Sequence, residues 1–263
     1  MSDVCTRRRF LAKAATASVG GVVLTGVAGA ARTAPNRASQ RDEDSEVFVF
    51  SRLQFRTINQ TQDQWDCGID KEEDLLEFLR KNTSVRVSQK SFYERSISIE
   101  DLRNVYARPG NDSVVYTRPF LFMTGSGKFE FNAPESATLA EYLRRGGFWY
   151  IDDCISSPRH TSDFYRTFLR EVRNIWPDQE MRPVPHDHEI YHCVYDAPEG
   201  APWVQGEHVP YMGLFMKDRL AVFLTGVDLH CGWRWEWTSR SEHKDKTICR
   251  KMGVNIIVYA LTH

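Results

Sequence analysis

The chain has 263 residues, with 34 Lys and Arg against 35 Asp and Glu, and a formal net charge of −1. That balance, with no basic stripe and no RNA-binding aromatic motif, argues against nucleic acid as a partner. None of the six cysteines forms a CxxC pair, which excludes a zinc ribbon or a thioredoxin-like motif.

The first element is a targeting segment. Thr6-Arg7-Arg8-Arg9-Phe10-Leu11 and Lys13 precede an uncharged Ala/Gly/Val/Thr-rich run from Ala14 to Ala31, and Ala28-Gly29-Ala30 offers an A-x-A cleavage site. Twin arginines before a weakly apolar core predict a twin-arginine signal peptide over residues 1–30, and hence export to the periplasm or the exterior. The competing reading is a single membrane anchor, for which the Gly, Thr and Ala content is poor. Cleavage would leave no stable membrane span. It would also leave 30 basic and 34 acidic residues, a net charge of −4. Residues 31–45 are polar and read as a disordered linker, and 46–263 as a single domain. Cys67, Cys154, Cys193, Cys231 and Cys249 remain in that domain, so at least one thiol is unpaired in a monomer.

Val47–Phe55 predicts a first strand, Glu72–Arg80 a helix, Val85–Val87 a second strand and Ser98–Val105 a short helix. Arg108–Asp112 is a turn cluster in a surface excursion. Residues 120–154 then form the centre of the chain. Phe120–Met123 is a buried strand closed by Gly125-Ser126-Gly127. Asn132, Pro134 and Glu135 open a helix that Gly146-Gly147 ends. A second apolar run, Phe148–Ile151, leads into Asp152-Asp153-Cys154. This is a βαβ unit with a right-handed crossover expected. If its strands are neighbours, Thr124–Lys128 and Asp152–Cys154 share the carboxyl edge where ligands sit in open α/β sheets. Ser162 caps a further helix stopped by Pro177, whose Arg166, Arg170 and Arg173 form a solvated face. Leu214–Met216 and Leu220–Leu224 read as a hairpin, and Thr247–Leu261 as a largely buried closing helix containing Cys249. Strands alternating with helices predict a layered α/β domain with a mainly parallel sheet.

Several clusters could carry chemistry. Gly125–Gly127 matches no phosphate motif and is either a tight turn or a backbone N–H nest for an anion or oxyanion. Cys154 ends a strand where a nucleophile could project, with His188 or His230 as its base. Asp152 and Asp153 would raise the thiol pKa, however, so a structural thiol or a bridge to Cys231 competes with that role. His188-Glu189-x-x-His192 spells a zinc-hydrolase motif, but Pro183, Pro185 and Pro198 limit any helix there and Asp187 reads as its N-cap. Asp228, His230 and Cys231 follow the last strand and could reach the same edge. Trp233, Trp235 and Trp237 are core cover or a stacking platform.

Taken together, Arg52–Phe55, Pro119–Gly125, Gly146-Gly147-Phe148, Asp152–Cys154, Asp187-His188-x-Ile190, Asp228-Leu229-x-Cys231-Gly232-Trp233 and Gly253–Leu261 resemble an uncharacterised bacterial family of unknown function. The resemblance spans about Phe48 to Thr262. It implies a three-layer α/β/α, flavodoxin-like fold of the class I glutamine amidotransferase-like and ThuA-like type. There the loop matching Gly125–Gly127 holds the oxyanion hole and the turn near Cys154 the nucleophile, which ThuA-like relatives lack. Family members usually have Pro where Glu189 stands, so the zinc-motif match looks accidental. The excursion around Arg108–Thr117 also looks longer than usual. Neighbouring MoxR-type ATPases and von Willebrand A-domain proteins suggest a partner system. The expected function is ligand or partner binding at an edge built from Gly125, Ser126, Gly127, Asp152, Asp153, Asp228 and Cys231, with no cofactor required. The alternatives are a thiol hydrolase using Cys154 and a zinc hydrolase using His188 and His192.

Overall fold

The computed structural model describes residues 47–58, 65–106, 118–155, 163–234, 245 and 247–263. The expected signal peptide and linker, the excursion around Arg108–Thr117, the expected cap at Ser162, and Trp235 and Trp237 lie outside the described residues.

The chain builds one mixed sheet from β1 (Ser51–Gln54), β2 (Ile97–Ser98), β3 (Phe120–Gly125), β4 (Phe148–Asp153), β5 (Arg182–Pro183), β6 (Met212–Met216) and β7 (Arg219–Thr225). Its order is β2-β1-β3-β4-β7-β6-β5. The first five strands in that order run parallel, and β6 and β5 add an antiparallel edge. Pro183, which has no N–H to donate, lies in the last strand of that edge and blunts it. The helices are α1 (Ile69–Asn82), α2 (Phe92–Arg95), α3 (Ile99–Tyr106), α4 (Ala133–Arg144), α5 (Asp163–Ile175) and α6 (Ile248–Thr262).

Strand alternation sorts the core into two faces. Phe120, Phe122, Phe148 and Tyr150 join Leu75, Leu76 and Leu79 of α1 and the buried side of α6. The intervening residues Leu121, Met123, Trp149 and Ile151 pack with Leu102 of α3, Leu139 and Tyr142 of α4, and Phe164 and Phe168 of α5. Both faces are covered, so β3 and β4 are buried along their whole length. That is why they read as continuous apolar runs rather than as alternation.

The central unit forms as the sequence predicts. The Glu135 N–H donates to Asn132 Oδ1 at 2.9 Å and the Asn132 N–H to Glu135 Oε2 at 2.8 Å, a complete capping box. Pro134 sits in the first turn, and Gly146 ends the helix region with φ +98°. The hairpin β6–β7 turns at Lys217, whose φ is +58°.

Two expected strands are shorter than their β-rich runs. Val85–Val87 makes only a parallel bridge, Val87 to Phe48, and the first strand is regular only from Ser51. The chain leaves β1 for β2 on one side and returns as β3 on the other. This reversal is a topological switch point at the carboxyl ends of the parallel strands, between β1 and β3, the position at which open α/β sheets hold ligands. Among the described residues no helix is long and apolar enough to cross a membrane.

Candidate functional site

The register of the sheet places Thr124 beside Asp152 and Asp152 beside Thr225. Asp152 lies on the α1/α6 face, in the same alternation as Tyr150. It is fully buried, and the carboxylate is held on both oxygens. Thr225 Oγ1 donates to Oδ1 at 2.6 Å, with Tyr150 Oη 3.0 Å behind it. The His230 backbone N–H donates to Oδ2 at 2.9 Å, and His230 Nδ1 lies 3.3 Å from the same oxygen. Asp152 thus fixes both the turn after β7 and the ring of His230.

That turn is tightly built. Asp228 adopts φ +58°, a left-handed conformation that Asp tolerates better than most residues. Its carbonyl accepts the Cys231 N–H at 3.1 Å, opening a single 3₁₀ turn, Cys231–Trp233. Gly232 is needed because a Cβ there would stand 2.5 Å from the sulfur of Cys249 on α6. Trp233 then fills the core against Phe50, Phe122 and Tyr150, so this tryptophan is core cover.

A second segment reaches the site from α1. Arg52, buried on β1, donates from Nη2 to the Cys67 carbonyl at 2.7 Å and lies 2.8 Å from Glu72 on α1. Arg95 approaches the other Glu72 oxygen at 3.3 Å. All three charges are essentially unexposed; Glu72 pairs with both guanidinium groups, Glu73 adds a second carboxylate on Arg95, and together they anchor the start of α1. Gly68 follows with φ +67°, and a Cβ there would stand 3.0 Å from His230 Nε2. Lys71, one turn on, donates from Nζ to Cys231 Sγ at 3.1 Å.

The result is a cluster of two buried thiols, the half-buried thiol of Cys67, a buried imidazole and two buried carboxylates. His230 Nε2 lies 3.8 Å from Cys231 Sγ, while Nδ1 is equidistant, at 3.3 Å, from Asp152 and Asp228. Cys154 hydrogen-bonds both Cys231 and Cys67, which pushes its own thiol pKa well up. The same hydrogen bond from Cys154, then the imidazolium and Lys71, hold Cys231 well below the ordinary thiol range despite burial. Cys67 is likewise lowered by Cys154, with His230 and Arg52 adding to the effect. Burial alone would push His230 down. The Cys231 thiolate and the Asp152 carboxylate outweigh it, and the imidazole stands well above its ordinary value. Burial raises both Asp152 and Asp228. All the described cysteines are free thiols, Cys154 and Cys231 included, so the bridge entertained between those two is not formed.

The remaining predicted residues separate from this cluster. Gly125 lies beside it and accepts the Cys154 N–H at 2.9 Å. Neither Gly125 nor Gly127 has positive φ, so the αR–αL alternation of an anion nest does not form there. Asp153 points to the opposite face, where Oδ2 accepts the Tyr165 N–H at 3.1 Å and secures the start of α5. It is a helix anchor.

His188 stacks near Phe215 and Tyr259. Tyr259 in turn packs on Phe148 and bonds Leu220, at the amino ends of β4 and β7. His188 therefore stands across the sheet's length from Cys154 and cannot serve as its base. Residues 189–191 form one 3₁₀ turn capped by His188 itself, whose Nδ1 accepts the Ile190 N–H at 3.2 Å, in place of the expected Asp187. His192 donates to the His186 carbonyl at 2.7 Å and to Asp196 at 2.5 Å, which holds it protonated above its ordinary pKa. The proline-rich flanks deny this segment the helix that would align two imidazoles on zinc.

Sequence reasoning missed Cys67, Lys71 and Gln205. Gln205 donates to Asp228 Oδ2 at 2.5 Å. No local motif marks any of the three; only the sheet order brings them to this edge. Residues 50–261 match a family described as a domain of unknown function (DUF4159). The chain belongs to that family. A comparison with curated proteins gives no match. The DUF4159 domain thus includes every residue of the cluster just described, from Cys67 to Cys231.

Proposed function

We propose that this DUF4159 domain is an exported, amidotransferase-like α/β protein whose carboxyl edge binds a ligand and has lost amidotransferase chemistry. The strand order 2-1-3-4, continued by a further parallel strand, supports the flavodoxin-like reading of the fold. The twin arginines support export, and the gene-neighbour resemblance supports a MoxR-linked or von Willebrand A-domain partner.

One observation carries the functional reading. The His230 imidazole faces Cys231 Sγ at 3.8 Å, while the thiol at the nucleophile position, Cys154, faces two other sulfurs that push its pKa up. An amidotransferase nucleophile needs the reverse, a thiolate facing an imidazole. Burial points the same way, since Cys154, Cys231 and His230 are at most 5% exposed, leaving little room for an amide substrate. The test is ammonia release from L-glutamine by the wild type and by Cys154→Ser. Equal, background rates are expected; release that depends on Cys154 would sink the reading.

A second reading has one observation in its favour. Asp152, His230 and Cys231 form a carboxylate–imidazole–thiolate relay, so a thiol enzyme built here would use Cys231 rather than Cys154.

A further inference from the structure

Cys154 Sγ, Cys231 Sγ, a ring nitrogen of His230 and a carboxylate oxygen of Asp228 all lie within 4.8 Å of one another, and all four residues are buried. Zinc–ligand bonds of roughly 2.0–2.3 Å at a tetrahedral angle would set such atoms about 3.3–3.8 Å apart. The separation of His230 Nε2 and Cys231 Sγ is already 3.8 Å, so small side-chain movements would close the set. Two sulfurs, an imidazole and a carboxylate form a donor set that favours zinc-class ions over magnesium or calcium, which take oxygen ligands.

An independent observation points to an occupant. Asp228 is completely buried; Oδ2 is held by Gln205 at 2.5 Å, while Oδ1 lies 3.3 Å from His230 Nδ1 without forming a hydrogen bond. A buried carboxylate oxygen without a formed hydrogen bond is costly, and a cation held with the neighbouring sulfurs would satisfy it. The surroundings resemble an outer shell. Asp152 accepts from the Nδ1 side of His230, leaving the Nε2 lone pair for the thiol side, and the Lys71 ammonium on Cys231 offsets thiolate charge.

We infer that Cys154, Asp228, His230 and Cys231 bind one zinc-class divalent ion. The inference deepens the ligand-binding reading and rests on it, because the ion itself would be the ligand. With four protein donors the site is of the closed, structural kind.

The test is a titration of reduced, metal-free protein with Co²⁺ and then Zn²⁺. The expected result is one equivalent of cobalt giving sulfur-to-metal charge-transfer bands and tetrahedral d–d bands, displaced by one equivalent of zinc. Asp152→Asn keeps all four donors and should weaken zinc binding about 10–100-fold. Cys193→Ser removes a thiol that bonds the Asn255 carbonyl instead, and should leave the bands unchanged. Absence of charge transfer in folded, reduced wild type overturns the inference. So do bands that survive in a folded Cys154→Ser/Cys231→Ser variant; if that variant does not fold, the wild-type titration and Asp152→Asn decide. Cobalt failure without glutamine hydrolysis removes only the metal. Cys154-dependent glutamine hydrolysis removes the ligand-binding reading whatever cobalt does.

Discussion

Asp152 was read from sequence as a poor neighbour for a thiolate, and its role is to orient the imidazole rather than the thiol. Its alternation places it on the α1/α6 face, away from Asp153, so two adjacent carboxylates serve different elements. The electrostatics of the trio give a pH prediction for metal-free protein. Cys231 is depressed, so its contribution to stability is present above the ordinary thiol pKa and is lost as pH falls through the folded value. His230 is raised, so its contribution is present below the ordinary imidazole pKa and is lost as pH rises through its folded value. Ultraviolet thiolate absorption should therefore persist well below the ordinary thiol range and shrink in Cys231→Ser. Absorption that appears only near the ordinary thiol pKa would contradict this. Glu72 offers a stability prediction at the same scale. Glu72→Gln leaves Arg52 buried without a carboxylate and Arg95 with Glu73 alone, at a cost of about 3–5 kcal/mol. Guanidinium denaturation measures it, and a loss under about 1 kcal/mol would show that the arginines find other partners.

At the scale of elements, the sequence was legible wherever a local signal coincided with burial. The capping box at Asn132, the Gly146 stop, the hairpin around Lys217 and the closing helix all form where their residues place them. Asn132→Ala should cost about 1 kcal/mol in denaturation experiments, because it strips the partner from the Glu135 N–H. An unchanged midpoint would mean that packing of Leu139 and Tyr142 alone holds α4. Legibility failed where a β-rich or ligand-rich run met a competing constraint. Val85–Val87 has strand residues but only one bridge, since the chain turns away after Ser88. The His186–His192 run has ligand residues but prolines on both sides, and its imidazoles cap a turn and bind a carboxylate.

Over the whole molecule, the site exists because the sheet order gathers segments far apart in the chain. Cys67 and Lys71 follow β1, Cys154 follows β4, and Asp228–Cys231 follow β7. Sequence reading found the last two groups because each sits at the end of a strong apolar run. It missed Cys67 and Lys71 because a loop separates them from β1, and their approach depends on the Arg52–Glu72 pair and the left-handed Gly68. Gly68→Ala should be destabilising and should disturb His230, by the combined cost of its positive φ and the 3.0 Å approach of the imidazole. A histidine proton spectrum indistinguishable from wild type would contradict that coupling. The central claim is that Cys154, in the metal-free protein, faces other sulfurs with its thiol pKa raised and is not an imidazole-activated nucleophile. Alkylation of the native, reduced, metal-free protein by iodoacetamide, mapped by mass spectrometry, tests it most directly. Cys154 should stay unmodified until the protein unfolds, and rapid, preferential labelling of Cys154 in the folded state would contradict the claim.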